Sequence, residues 1–226
     1  MSNEEIKKYI DSINDGGFEE SIFIRHLSES VFVAKVWAKQ PCVTDSISES
    51  NSYKFFFVKN ELGKSIAAIL DMYSDLHWYV LPNERKKGLL TKALREVVIP
   101  YLFYEREEQR ITIKKNIGKE NYRNSLSVAT SLGFIPMNED YTELSLKKID
   151  FDWSFENWCE KNNYLGIDRI EILKKRVNYA SNVLLKISDE LEMAYSESNE
   201  LDNLSESVGR FTWKVEDLFW EYEKSD

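Results

Sequence analysis

The chain has 226 residues, 30 basic against 39 acidic for a formal charge of -9, with 42% hydrophobic and 13% aromatic residues. That aromatic content excludes general disorder, and 8 Gly with 4 Pro exclude collagen-like or low-complexity sequence. Two cysteines, Cys42 and Cys159, cannot frame a disulfide scaffold or a four-thiolate zinc site. Residues 1–15 lack the apolar core of a signal peptide, and the most apolar run, 97–104, is broken by Pro100 and too short to span a bilayer. A reduced, cytoplasmic, non-membrane protein is expected, and the negative balance points away from nucleic acid.

In chain order, residues 3–14 place Ile6, Ile10 and Ile13 on one helical face, ended by Gly16-Gly17. Residues 21–27 and 53–59 read as strands, with an apolar helix over 30–39 between them. Asn60-Glu61-Leu62-Gly63 is a turn, so 53–59 and 65–73 form a hairpin. A strand over 76–81 closes at Pro82; a helix over 88–104, a strand over 110–114, a helix over 124–132 ended by Gly133 and a strand over 141–147 follow. The fold class is α/β (α+β), a hairpin feeding a strand–loop–helix unit. Phe55-Phe56-Phe57 and Trp78-Tyr79 fill the two sheet faces or line an acceptor pocket.

Texture and charge change near Asp150. Residues 1–150 hold 22 acids and 21 bases, net -1, whereas 151–226 hold 17 and 9, net -8. We therefore expect a body over 1–150 and an acidic helical extension over 151–226. There Ile170, Leu173, Val177, Ala180, Leu184, Ile187, Leu191 and Ala194 alternate steps of three and four, and Leu201, Leu204, Val208, Phe211, Val215, Leu218 and Tyr222 do so again. The two series break at 196–200, so an antiparallel helical hairpin is the simplest reading and one long helix with a stutter the other.

The stretch that carries chemistry runs His77-Trp78-Tyr79-Val80-Leu81-Pro82-Asn83-Glu84-Arg85-Lys86-Lys87-Gly88-Leu89-Leu90-Thr91. A strand ends at a proline, a basic loop follows, and a helix opens after one glycine. The first amides of such a helix lack intrahelical partners and the macrodipole is positive there, which suits an anion such as a pyrophosphate. Gly88 lets the backbone approach closely, and Arg85, Lys86 and Lys87 raise the local potential. The same residues also read as a solvated basic turn capping a surface helix.

A second stretch, Ser125-Leu126-Ser127-Val128-Ala129-Thr130-Ser131-Leu132-Gly133-Phe134, is a short amphipathic helix ending in Leu-Gly-Phe. With Arg85-x-x-Gly88-x-Leu90, it resembles the two signatures of the GNAT acyl-CoA N-acyltransferase superfamily, over residues 18–150. The resemblance implies a mixed, mostly antiparallel sheet with a splayed central strand and acetyl-CoA (coenzyme A) as cosubstrate. It places the main chain of Trp78 and Val80 along the pantetheine arm, and the amides of Lys86, Lys87, Gly88, Leu90 and Thr91 on the pyrophosphate beside Arg85. Asn121 or Asn124 would support the cofactor side. Leu90 replaces a usual small residue, and Ala129 stands where many members carry the tyrosine that protonates the leaving thiolate.

The implied reaction is N-acetyl transfer to a primary amine, whether small amine, peptide N-terminus or lysine, by direct attack. An alkylammonium of pKa about 10.4 is only roughly one part in a thousand neutral at pH 7, so a base must take its proton. Asp71, Asp75 and His77 lie on or before the critical strand; Asp75 and His77 share a face and are the catalytic candidates, although His77 also reads as a strand-edge cap and Asp75 as a turn residue after Ser74. Tyr122 and Tyr141 are possible proton donors among twelve tyrosines. His26 reads as strand surface, and Cys42 and Cys159 lack the partners that nucleophilic or metal chemistry requires. The alternative is a non-catalytic, regulatory protein of the same fold whose acidic extension docks a partner. That extension packs on itself, on the body, across a homodimer, or against a basic protein, with Phe211, Trp213, Phe219 and Trp220 more aromatic than one seam needs.

Overall fold

A computed structural model describes residues 1–17, 20–46, 52–160, 165–196 and 199–223. They form a mixed α+β protein of two compact units, Met1–Asn162 and Asn163–Asp226, which divide past the composition break near Asp150.

The first unit opens with α1 (Asn3–Asp15), capped by a reciprocal pair: Ser2 Oγ accepts from the Glu5 amide, and Glu5 accepts from the Ser2 amide. Gly16, in left-handed conformation, ends it. Five strands follow, β1 (Ile22–His26), β2 (Val31–Trp37), β3 (Ser52–Lys59), β4 (Ser65–Asp71) and β5 (Leu76–Val80), paired antiparallel in that order. The helix expected over 30–39 is a strand, β2. Its Val-Phe-Val-Ala-Lys-Val-Trp run is rich in β-branched and aromatic residues and lies inside a sheet covered on both faces, so apolar residues occupy both alternations and blur the period-two signal.

The two faces are separate cores. Ile6 and Ile10 of α1 pack with Phe32, Phe55 and Phe57 on one; Phe56, Ile69, Leu94, Val98 and Phe103 meet on the other. Phe55, Phe56 and Phe57 are thus sheet filling, fully buried on alternate sides.

The helix expected over 88–104 is α2 (Leu89–Ala93), a π-helical turn (Leu94–Val98) and α3 (Ile99–Phe103) in direct succession. Pro100 explains the wide turn: it lacks an amide, and its ring crowds the carbonyl of Glu96. The Asn157 amide bonds that carbonyl at 2.8 Å. Trp153 packs on Phe151 and Phe103, and Trp158 lies edge-on to Tyr101 and Tyr104, so residues 151–160 belong to the first unit; Phe155 is exposed beneath the Arg95 guanidinium.

The rest of this unit is β6 (Glu108–Thr112), α4 (Lys119–Ser131), the two-residue β7 (Ile135–Pro136) and β8 (Glu143–Lys147), with the strands paired in the order β6-β8-β7. Helix α4 begins a turn before the expected residue 124, because Lys119-Glu120-Asn121 are polar and give no apolar period. Between β4 and β6 lies a buried ion pair. Arg106 (7% exposed) donates two hydrogen bonds to the Asp71 carboxylate (4%), at 3.1 and 2.8 Å, and also bonds Gln109 and the Tyr73 carbonyl.

The second unit is the antiparallel pair α5 (Ile167–Tyr195) and α6 (Leu201–Glu223), so the hairpin rather than the single stuttered helix is observed. Ser196 and Glu200, both at positive φ, flank the turn, of which residues 197–198 lie outside the described ones. The seam departs from the expected apolar series. Ile170, Val177, Leu184 and Leu191 face α6, but they alternate with Lys174, Ser181 and Ser188, while Ala180, Ile187 and Ala194 are exposed. Small residues let the helices approach: Ser181 and Ser205 exchange hydroxyl-to-carbonyl bonds of 2.7 and 2.8 Å, and a Cβ at Gly209 would stand 3.2 Å from Ser181 Oγ.

Candidate functional site

Strands β5 and β6 run parallel and touch at a single bridge, Asp75 with Arg110. Asp75 stitches the apex: its Oδ1 accepts from the Leu76 and Thr112 amides, both at 2.8 Å. Beyond it the two strands enter separate sheets. Register decides what the split exposes. The Leu81 amide bonds the Ile66 carbonyl, so His77, Tyr79 and Leu81 spend their main-chain groups on β4, whereas those of Trp78 and Val80 point toward β6. No strand among the described residues pairs with them there; the Val80 carbonyl accepts from Arg85 Nε at 3.1 Å.

The chain then makes a short 3-10 turn (Pro82–Glu84) into the basic loop. Lys86 (φ 63°) and Gly88 (φ 77°) are both left-handed, and Gly88 is the N-cap of α2 with no side chain capping the helix amides. A Cβ placed on Gly88 has nothing within 4 Å, so the loop is open on its outer side. Leu90 points into the core and Thr91 is half-buried. Across the mouth stands the first turn of α4: Lys86 Nζ bonds Glu120 at 2.8 Å, and Arg85 reaches Asn121 Oδ1 at 3.4 Å, while Asn121 Nδ2 bonds the Ile117 carbonyl. Asn124 is half-buried on the following turn of α4, and Lys87 pairs with Glu84 at 2.9 Å.

The structure thus gathers Trp78, Val80, Arg85, Lys86, Gly88 and Asn121 at one mouth and sets the acid–base candidates apart from it. The Asp75 carboxylate is engaged at the apex. His77 lies against α1, its Nε2 3.0 Å from Asn3 Oδ1. Burial is the main cause that holds the His77 imidazole below the usual histidine range, with the Asp75 charge opposing it. Asp71 belongs to the ion pair with Arg106, the Tyr122 hydroxyl donates to the carbonyls of Asp140 and Tyr141, and Ala129 is fully buried. His26 packs on Phe32 and both cysteines are exposed. Glu120 and Asn3 had no sequence signal; each meets its partner, Lys86 or His77, only through the fold.

An NMR titration of the His77 ring should give a midpoint below about 6.5. Because folding depresses this pKa, its share of stability is full above about 6.5 and is lost as pH falls through the lower folded value. A midpoint at or above the usual value refutes the burial of this ring.

Comparison with protein-family models, curated proteins and solved structures finds no match to the chain. Among the described residues no helix is long and apolar enough to cross a membrane, and no group of three or more His, Cys, Asp or Glu is placed to hold a metal ion.

Proposed function

We propose that this protein is an acyl-CoA-dependent N-acyltransferase of GNAT type, moving an acetyl group to a primary amine. The observation that carries the reading is the split itself: two parallel strands joined at one bridge, with the main chain of Trp78 and Val80 paired to no described strand on that side and leading to an uncapped helix start at Gly88. The residues fit the cosubstrate, since the outer side of Gly88 is open and three cations, Arg85, Lys86 and Lys87, precede it in the loop. Acetyl-CoA, when bound, supplies an activated thioester.

Each role follows from placement. Trp78 offers its amide and carbonyl and Val80 its amide to the arm, as a neighbouring strand would, while the Val80 carbonyl holds Arg85. The amides from Gly88 to Thr91 bind the diphosphate at the positive end of the helix. Lys86 and Lys87 exchange the carboxylates of Glu120 and Glu84 for phosphate oxygens. An unpaired strand amide stabilises charge developing on the carbonyl oxygen. His77, half-buried on the α1 side of the sheet, donates from Nε2 to Asn3 and leaves Nδ1 to accept an ammonium proton, which water must carry across from the mouth.

A second reading, binding without chemistry, is favoured by the buried Ala129 and the engaged Asp75 carboxylate. Calorimetric titration with acetyl-CoA, followed by a thiol-release assay on an amine panel, separates the two. Micromolar binding with release on at least one amine is expected. Binding without release on any amine leaves the regulatory reading, and no binding removes both.

A further inference from the structure

Helix α5 carries two heptad series. One, Ile170, Lys174, Val177, Ser181, Leu184, Ser188 and Leu191, faces α6. The other runs Leu173, Arg176, Ala180, Val183, Ile187, Glu190 and Ala194, and apart from the half-buried Leu173 every member is exposed, with Val183 at 39% and Ile187 at 43%. Helix α6 adds Leu204, Phe211 and Leu218, at 48, 55 and 46%, to the same side of the hairpin. Among the described residues of this unit, only Ile170, Ser181, Ser188 and Ser205 are buried. Two helices with one fully buried apolar side chain and a seam otherwise half-buried, as Val177, Leu184, Leu191 and Val208 are, gain little from burial against the entropy of ordering them. A second apolar surface completes such a unit.

We propose that this surface is a second copy of the chain, with α5 lying antiparallel on α5 about a twofold axis at Val183. An interface of this kind must complement itself, and this series does. Arg176 and Glu190 lie one heptad to either side of Val183, so Arg176 of each copy meets Glu190 of the other. Ala180 falls opposite Ile187, and Leu173 opposite Ala194, a small residue against a large one in both of these layers. A parallel pairing would set Arg176 on Arg176 and Glu190 on Glu190. The Ser181–Ser205 contact brings Leu204 level with Val183, at the rim of the same face. The acidic residues Glu171, Glu192, Asp202 and Glu216 project from the other side of the α5–α6 seam, so the charge of the extension does not draw a basic partner to this face.

Sedimentation equilibrium on the full chain tests this. A dimer is expected at concentrations up to ~100 µM, and Arg176→Glu, which sets like charges together twice, should weaken it about tenfold or more. Adding Glu190→Arg to that variant should restore dimerisation, since the complementarity is then rebuilt with its signs reversed. Ala180→Glu should give a monomer of unchanged helicity, because position 180 is exposed in the hairpin. A monomeric wild-type chain overturns the proposal, as does a dimer that Arg176→Glu leaves unmoved or that the reversed pair fails to restore.

Discussion

Gly88→Glu is expected to abolish coenzyme A binding while Gly88→Gln only weakens it. Both variants place an L-residue at φ 77°, a left-handed conformation that costs about 1–2 kcal/mol, and both find open space for the new Cβ. They should therefore fold, with equal and modest losses in thermal midpoint. They differ in charge. A carboxylate about 4 Å from a diphosphate oxygen repels it by about 4 kcal/mol at an effective dielectric of 20, whereas the amide does not. At about 1.4 kcal/mol per decade, that separates the two affinities by more than about 100-fold. Calorimetric titration of both proteins reads the difference. Equal affinities in the two variants would remove the anion site from this helix start, and with it the proposed cosubstrate.

The second large effect is structural. Asp71→Ala leaves the Arg106 guanidinium buried with only the Gln109 side chain and the Tyr73 carbonyl to satisfy it, and its Nε already lacks a partner. Removing one member of a buried pair costs about 3–5 kcal/mol. For a protein of this size that amounts to a fall of roughly 10 °C in thermal midpoint. Arg106→Ala should cost less, because the Asp71 carboxylate keeps the Tyr73 amide at 2.8 Å and Lys54 at 3.6 Å. Replacing both residues by leucine should recover most of the loss, since no uncompensated charge remains. Thermal unfolding followed by circular dichroism gives all three values, and a double variant no better than Asp71→Ala would show that the pair itself is favourable.

Much of the fold was legible in local pattern. Ile6, Ile10 and Ile13 mark α1, Asn60 to Gly63 mark the β3–β4 turn, and Gly133 marks the end of α4. What escaped was decided by tertiary surroundings. β2 lost its alternation because helices cover both faces of its sheet. The hairpin seam chose Ser181 over Ala180 because hydroxyls that bond each other's carbonyls tolerate closer backbones than a row of leucines. At the mouth, the loop and its glycine are visible as a run of residues. The openness of Trp78 and Val80 is not, because it depends on which edge of β5 meets β4. Nor does any local signal tell that Asp75 spends its carboxylate on amides or that His77 turns to Asn3.

Asp75 also says what keeps the split from closing. At the apex a side chain, not a peptide group, receives the Thr112 amide. The two strands are therefore wedged apart by the reach of one aspartate, and the amide nearest the fork is already satisfied. An aperture held by such a spacer needs no guest to prop it open.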